Sequence, residues 1–254
     1  MTDTHAHFRS PDDYPDLGSL RVLAVGCDPQ SNAAARLAAE RPGIRFALGL
    51  DYSQMETSEE TFEGFASELA RLPDLAAIGE IGLDFHYAAP ETAPLQSRLF
   101  LKQLHLAREL GKPAVFHVRQ AESLFLELYS QCPVPGVVHS FTGDADFARA
   151  LLDKGLYLGF GGILTFRNAE PLRAVAATVP LSRLLLETDS PYLAPVPLRG
   201  RPCRPDYVAH TAARLAQIKG IPLPQLEVIT DANADDLFGP WPTLRSCGSC
   251  PNPL

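Results

Sequence analysis

Six residues of metal-ligating type occur in one recurring context, at the start of the chain or directly after a short apolar run. They are His5, His7, Glu80, His117, His139 and Asp189. Imidazole nitrogens and carboxylate oxygens together suit Zn, Mn, Co or Ni and, less well, Mg. A single residue of this kind is more often a hydrogen-bonded structural histidine or a helix cap. Their shared context predicts a hydrolytic centre that holds two divalent metal ions.

The spacing of these residues matches the ends of parallel strands. One residue separates His5 from His7, so in an extended chain both imidazoles point to the same side. The others follow apolar segments of strand length. In a closed barrel of buried parallel strands, the chemistry sits at the C-terminal ends of the strands. Glu80 is the natural bridge between two ions, and Asp189 is the candidate base for a water that the metals acidify.

Apolar runs alternate with helical patterns along the chain, which is the rhythm of βαβ units. Strands are predicted at residues 2–5, 21–25, 45–48, 76–80, 114–117, 136–139, 157–160 and 184–188. Helices are predicted at residues 31–40, 59–72, 95–110, 121–129, 144–153, 170–177, 206–219 and 224–233. Together they predict an α/β fold, a (β/α)8 TIM barrel in a single domain over residues 1–239. Residues 240–254 are expected to form a flexible C-terminal extension.

Composition narrows the class of protein further. The 254 residues are 46% hydrophobic and 20% charged, which is typical of a globular protein with a sizeable core. No basic segment precedes an apolar N-terminal core, and no apolar run approaches the roughly 18 residues needed to cross a bilayer. We therefore expect no membrane association and a cytoplasmic location. The net charge of -8 argues against general coating of nucleic acid, although local positive charge can hold a phosphate backbone.

The cysteines indicate neither a disulfide framework nor a zinc site. Five cysteines with irregular spacing suit a reducing compartment. Cys247 and Cys250 form a Cys-x-x-Cys pair, but structural zinc usually needs four ligands and the sequence contains no second pair. We interpret the pair as an incidental feature of the C-terminal tail. Nothing in the sequence indicates an obligate protein partner.

Five short strings occur in an order and spacing that match a known family. They are His5-Ala6-His7, Gly79-Glu80-Ile81-Gly82-Leu83-Asp84, His117-Val118-Arg119, Val138-His139-Ser140-Phe141-Thr142-Gly143 and Glu187-Thr188-Asp189-Ser190-Pro191. Together they resemble the TatD family of metal-dependent deoxyribonucleases, from about residue 3 to residue 239. The resemblance implies an amidohydrolase-like barrel. It also implies that His5, His7 and Asp189 hold the first ion, that His117 and His139 hold the second, and that Glu80 joins both.

The resemblance implies a substrate as well: single-stranded or frayed DNA, hydrolysed at phosphodiester bonds from the 3′ end. Arg119 stands where the family's arginine would meet phosphate, and Arg167 and Arg204 lie on the loops after the seventh and eighth strands. The planar fork of arginine suits phosphate oxygens, so these side chains are predicted to bind substrate. The alternative for each is a solvated or carboxylate-paired arginine. Asp189 and Glu80 are the predicted catalytic residues.

Two positions depart from the family's pattern. After the third strand the family usually has Gly-x-His-Pro, whereas this chain has Gly49-Leu50-Asp51-Tyr52 and so places an anion at the rim of the site. After the eighth strand Cys203 replaces the family's usual asparagine, which removes two hydrogen-bond donors and an acceptor. Neither position is a predicted metal ligand. We expect hydrolysis to be retained and the preference for DNA to be affected.

A small-molecule amidohydrolase or phosphoesterase is the alternative function, because fold and metals alone do not determine the substrate. Related enzymes that hydrolyse small amides often carry a lysine after the fourth strand, whereas this chain has Glu80, which favours the nuclease. Two roles fit Glu187: it could hold a third, transient ion, or it could support the turn at the end of the eighth strand. The metal, the choice between DNA and RNA, and the oligomeric state are left open.

Overall fold

The structure, a computed structural model, describes residues 1–10 and 12–241. The Cys247–Cys250 pair and the predicted extension from residue 242 onward lie outside the described residues. Eight strands form one parallel sheet in which neighbours along the chain are neighbours in the sheet. The strands are β1 (Thr2–Ala6), β2 (Arg21–Val25), β3 (Ile44–Leu48), β4 (Ala77–Asp84), β5 (Ala114–Arg119), β6 (Gly136–Val138), β7 (Tyr157–Phe160) and β8 (Leu184–Leu186).

Helices connect successive strands and surround the sheet. They are α1 (Pro29–Ala38), α2 (Glu59–Leu69), α3 (Ala93–Glu109), α4 (Glu122–Gln131), α5 (Ala145–Asp153), α6 (Glu170–Thr178), α7 (Val208–Lys219) and α8 (Leu223–Phe238). Asp144 caps α5 as predicted, since its carboxylate accepts a hydrogen bond from the backbone of Phe147 at 2.8 Å. None of the helices within the described residues is long and apolar enough to cross a membrane.

The sheet closes on itself between its first and last strands. The backbone N–H of Asp189 donates to the carbonyl of His5 at 2.9 Å, and that of His7 donates to the carbonyl of Ser190 at 2.7 Å. These bonds join the chain beyond β8 to the end of β1, and Ala6 and Ser190 form a parallel bridge. The predicted (β/α)8 barrel is confirmed. Closure places two of the predicted metal-binding segments side by side.

Alternating side chains of the strands divide the core into two apolar clusters. One lies between the barrel and its helices and includes Val22, Ile78 and Leu158. The other collects residues of opposite parity from β2 to β8, together with Phe238 and Trp241 from the end of the described chain. Trp241, which the sequence assigns to the flexible extension, is buried and lies under the guanidinium of Arg21 at 4.9 Å.

Five strands end at different residues from those predicted, and the ends of β4, β5 and β8 differ by two residues or more. β4 continues to Asp84, because it remains paired with β5 as far as Arg119, so Glu80 lies within a strand rather than at its end. β8 stops at Leu186, because the following residues turn to pair with β1. The apolar run before Glu80 located the strand correctly. The polar residue did not mark its end.

Buried glutamines of α3 hold the backbone at the end of two strands. The amide of Gln103 donates to the carbonyl of Leu50 at 2.7 Å and its oxygen accepts from the N–H of Leu50 at 2.8 Å. Gln96 makes the same pair of bonds with Asp84, at 3.0 and 2.9 Å. Each amide thus replaces the pairing that a neighbouring strand would provide. Buried backbone groups that would otherwise lack partners are satisfied, and the segments that carry the site are fixed to a helix.

Replacing Gln96 with leucine should destabilise the protein by about 2–4 kcal/mol, because it leaves both backbone groups of Asp84 buried without partners. Urea unfolding at a fixed metal concentration measures this change. Gln225→Leu, at an exposed position of α8, is the matched control and should stay within roughly 0.5 kcal/mol of the parent. Equal stabilities of the two variants would contradict the assigned role of Gln96.

Candidate metal centre

All predicted ligand side chains come together at the C-terminal end of the barrel strands. Three groups drawn from them each place their nitrogen and oxygen atoms within 4.8 Å of one another. The groups are His5, His139 and Asp189; His5, His7 and Glu80; and Glu80, His117 and His139. The strands bring residues far apart in sequence into one constellation of histidines and carboxylates that could bind metal.

The first half of the centre is built from β1 and the turn after β8. The Nε2 atoms of His5 and His7 lie 3.3 Å apart. Glu80 Oε2 is 3.4 Å from His5 Nε2, and Asp189 Oδ1 is 3.3 Å from His7 Nε2. Asp189 adopts a left-handed backbone conformation with φ 61°, which aspartate tolerates better than most residues.

The second half lies at the ends of β5 and β6. His117 Nδ1 is 3.1 Å from His139 Nε2. Both nitrogens also lie close to Glu80 Oε1, at 3.0 Å from His117 and 3.1 Å from His139. Glu80 therefore directs one carboxylate oxygen to each pair of histidines.

The donor atoms fit divalent cations. Within each pair, two imidazole nitrogens face each other at 3.1–3.3 Å with carboxylate oxygens beside them. The Nδ1 atoms of His5 and His139 are buried and make no hydrogen bond within the described chain. Nitrogen and carboxylate donors that converge in this way suit Zn, Mn, Co or Ni and, less well, Mg.

Neighbouring groups fix the orientation of two of the histidines. His7 Nδ1 donates to the carbonyl of Val25 at 3.1 Å, which leaves Nε2 directed into the centre. His117 Nε2 lies 2.8 Å from Asp84 Oδ2, which directs Nδ1 toward Glu80. Metal-binding histidines commonly use their second nitrogen in this way. Asp84 belongs to the Gly79–Asp84 string, but sequence reasoning assigned it no separate role.

Asp3 is a second buried carboxylate that sequence reasoning missed. It accepts hydrogen bonds from the backbone N–H and the hydroxyl of Thr188, at 2.9 and 2.6 Å. Thr188 immediately precedes Asp189, so Asp3 fixes the turn that presents this residue. The available signal was the position of Asp3, which shares the face of β1 with His5 because side chains alternate.

Glu187 supports the neighbouring turn. Its side chain is fully buried and accepts a hydrogen bond from the backbone N–H of Ser140, the residue after His139. A Cβ at Gly159 would lie 2.2 Å from Glu187 Oε2, so glycine is needed there to accommodate the carboxyl group. Of the two roles that the sequence allows for Glu187, these contacts fit support of the turn.

The charges of the centre are set by competition between burial and pairing. Burial alone would raise the pKa of Glu80, but the charge of His139 and hydrogen bonds from both histidines of the second half lower it well below the usual range. Burial alone would lower the pKa of His117, whereas its hydrogen bonds to Asp84 and Glu80 raise it to about 10. The Glu80 carboxylate is thereby kept ionised, which is the state that attracts a cation.

Asp3 and Glu187, the two buried carboxyl groups next to the centre, have raised pKa values, in contrast to Glu80. Burial raises the pKa of Asp3 to about 8 and that of Glu187 well above the usual range. For Asp189 the effect of burial is outweighed by the hydrogen bond and charge of His7, so its pKa is lowered. Ionised carboxylates are therefore concentrated where they face histidines.

A cavity of about 850 Å³ opens above the centre. Its wall includes Arg119, Asp51, Tyr52, Tyr87 and Tyr192. Arg119, a predicted substrate-binding residue, therefore lies beside the centre. So does Asp51, one of the two positions that depart from the family's pattern. Burial raises the pKa of Asp51 to about 6, with a further contribution from the charge of Glu80.

The other sequence-predicted positions lie outside this cavity. Arg204 lines a neighbouring cavity and forms an ion pair with Asp206 at 2.9 Å. Cys203, the second departure, is buried in the wall of that same neighbouring cavity. Arg167 is exposed on the loop after β7 and does not line either cavity. These loop residues were placed from sequence order, which does not specify the path of a loop.

Comparisons with known proteins find metal-dependent hydrolases and nucleases. The family model described as TatD-related DNase matches residues 2–239. The Escherichia coli protein described as the uncharacterized metal-dependent hydrolase YcfH is 40% identical over 205 residues, which make up 80% of this chain and 76% of that protein. The 3′-5′ ssDNA/RNA exonuclease TatD of Citrobacter rodentium is 37% identical over 221 residues, 83% of this chain and 82% of that protein.

Solved structures show the same architecture. The crystal structure of YJJV, a TatD homologue from Escherichia coli, matches with a TM-score of 0.84 at 28% identity, covering 94% of this chain and 97% of that chain. Its coverage extends over the whole barrel. The likeness is therefore one of the complete fold and not of a single motif.

Replacing Asp84 with asparagine should lower the pKa of His117 in metal-free protein by roughly one unit or more, because a neighbouring anion is removed. NMR titration of the His117 ring protons measures this pKa directly. Asp144→Asn, which changes a distant carboxylate at the start of α5, controls for a general change of charge. An unaltered His117 titration in Asp84→Asn would show that the carboxylate does not govern this histidine.

Proposed function

This chain belongs to the TatD-related DNase family, and on that premise we propose that it is a metal-dependent nuclease. It hydrolyses phosphodiester bonds of DNA, as a 3′-5′ exonuclease on single-stranded or frayed ends. The observation that carries the proposal is the position of Glu80, with one carboxylate oxygen directed to each pair of histidines. The name of the Citrobacter rodentium relative, an exonuclease of ssDNA and RNA, supports a nucleic-acid substrate.

In this proposal the centre would hold two divalent ions. His5, His7 and Asp189 would hold the first ion, His117 and His139 would hold the second, and Glu80 would contribute to both. Bound there, the ions would acidify water and stabilise the charge that develops on the attacking and leaving oxygens. The candidate ions are Zn, Mn, Co, Ni and Mg.

The residues of the chain perform the remaining tasks. Asp189 is fixed through its backbone N–H on the carbonyl of His5, and its carboxylate accepts the proton of the attacking water. The lowered pKa of Asp189 keeps the carboxylate ionised at neutral pH, which is the form that a general base requires. Arg119 lines the cavity and binds the phosphate of the substrate with its guanidinium group.

The substrate is proposed to be a strand end because of the shape and charge of the cavity. An opening of about 850 Å³ can hold one or two nucleotides of a flexible strand, whereas an intact duplex is wider and stiffer. The chain carries a net charge of -8, so long-range attraction gives the substrate little help and local contacts must hold it.

Digestion of 5′-labelled oligonucleotides tests the proposal. Protein stripped with chelator and then supplied with each metal in turn should produce a descending ladder on single strands, and a blocked 3′ end should resist digestion. Intact duplex should be cut far more slowly than a single strand. Random internal cuts in closed circular DNA, or hydrolysis of small phosphoesters without action on oligonucleotides, would contradict the proposal.

Asp51→His should lower the Michaelis constant for oligonucleotides by roughly five-fold, since removing one negative charge near a bound phosphate is worth about 1 kcal/mol. The maximal rate should change less than the Michaelis constant. Asp51→Asn separates the loss of charge from the gain of an imidazole and should show most of the same effect. A Michaelis constant that is unchanged or raised in both variants would remove residue 51 from the substrate path.

A further inference from the structure

Exposed aromatic side chains are concentrated at the opening of the metal cavity. Among the large hydrophobic residues that the structure describes as exposed, the aromatic ones are Tyr87, with 69% of its surface accessible, and Tyr192, with 53%. Both line the cavity above the metal centre. Exposed aromatic surface beside charged groups suits a ligand with a flat apolar face.

Tyr192 stands on the side of the first pair of histidines. Its ring lies 6.0 Å from that of His7, centroid to centroid, in an edge-on arrangement. Its backbone N–H donates to the carbonyl of Asp189 at 2.8 Å, so the turn that presents Asp189 also holds the tyrosine. The interaction of Arg9 with Tyr192 raises the pKa of Arg9, and both residues line the same cavity.

Tyr87 occupies a comparable position on the side of the second pair. Its backbone N–H donates to Asp84 Oδ1 at 2.7 Å, on the carboxylate whose other oxygen contacts His117. The guanidinium of Arg119 lies 5.0 Å from the centre of its ring. Tyr87 follows β4 and Tyr192 follows β8, and these strands are on opposite sides of an eight-stranded barrel.

Each side of the opening therefore combines an exposed tyrosine ring with an arginine. A ring can stack on the flat face of any nucleobase, and the arginine can bind the adjoining phosphate. Both tyrosines are fixed by backbone hydrogen bonds to residues of the centre, so a base stacked on either ring would hold its phosphate in register with the metals.

We propose that Tyr87 and Tyr192 form two nucleobase-stacking subsites, one on each side of the metal centre, which grip consecutive unpaired bases of the substrate strand. The inference rests on the proposed nuclease function and extends it to the way in which the strand is recognised. In a duplex, stacking leaves only one face of the terminal base pair free, so two consecutive bases can be gripped only in an unpaired strand. Because every base has a stacking face, selection is independent of sequence.

Binding of oligonucleotides in the presence of chelator tests the subsites without turnover. A single strand carries the fluorescent base 2-aminopurine at its last or second-last position, where stacking on a tyrosine quenches emission. Tyr87→Leu and Tyr192→Leu should each weaken binding roughly ten-fold and reduce quenching, whereas Tyr87→Phe and Tyr192→Phe should retain both. Val228→Ala, at an exposed position on α8, is the control.

An oligonucleotide without bases at its last two positions provides the decisive comparison. It should bind the parent protein as weakly as the normal strand binds the double variant Tyr87→Leu/Tyr192→Leu, and the leucine substitutions should have little further effect on it. Leucine variants that bind and digest normal strands like the parent would overturn the stacking subsites and leave the nuclease proposal standing. Tyrosine-dependent binding without hydrolysis under any metal would support the subsites and overturn the nuclease. A parent protein that neither binds nor cuts oligonucleotides would overturn both.

Discussion

The centre depends on the contacts between the carboxylate of Glu80 and the four histidines. The two oxygens of this carboxylate lie 3.0–3.6 Å from nitrogens of the two histidine pairs, and without an anion between them four imidazoles, of which those of His5 and His139 are buried, would face one another. The attraction of these imidazoles keeps the pKa of Glu80 low although the side chain is nearly inaccessible to water. The buried charge of Glu80 thus determines how the histidines are spaced, and this spacing determines which ions the centre can bind.

The surrounding structure stabilises a group of polar side chains that would otherwise oppose folding. Buried charges are tolerated only where they are paired and hydrogen-bonded. Asp84 orients His117, Asp3 fixes the turn before Asp189, and the amide of Gln96 holds the backbone of Asp84. These contacts make the end of β4 and the turn after β8 rigid. The same two segments carry Tyr87 and Tyr192, so the rigidity of the centre extends to the opening through which a substrate must enter.

The barrel and the gathering of the ligands could be predicted from sequence because they depend on local regularities. Apolar runs locate buried parallel strands, and polar residues at their ends must meet at one end of a closed barrel. The continuation of β4 to Asp84 could not be predicted, since it depends on pairing with β5. The same holds for Arg167 and Arg204, whose loops follow tertiary contacts rather than a sequence pattern. Asp84 and Asp3 received no role from sequence, because their partners, His117 and Thr188, are remote in the chain.

The most direct test of this account is the number and coupling of metal ions bound by the chain and by Glu80→Ala. Protein loaded with Mn, analysed for metal content and by electron paramagnetic resonance, should contain two ions per chain with a spectrum of magnetically coupled pairs. Glu80→Ala should lose metal and the coupled signal together. One ion per chain in the parent, or full occupancy and undiminished coupling in Glu80→Ala, would contradict the assignment of Glu80 as the bridge between two metals.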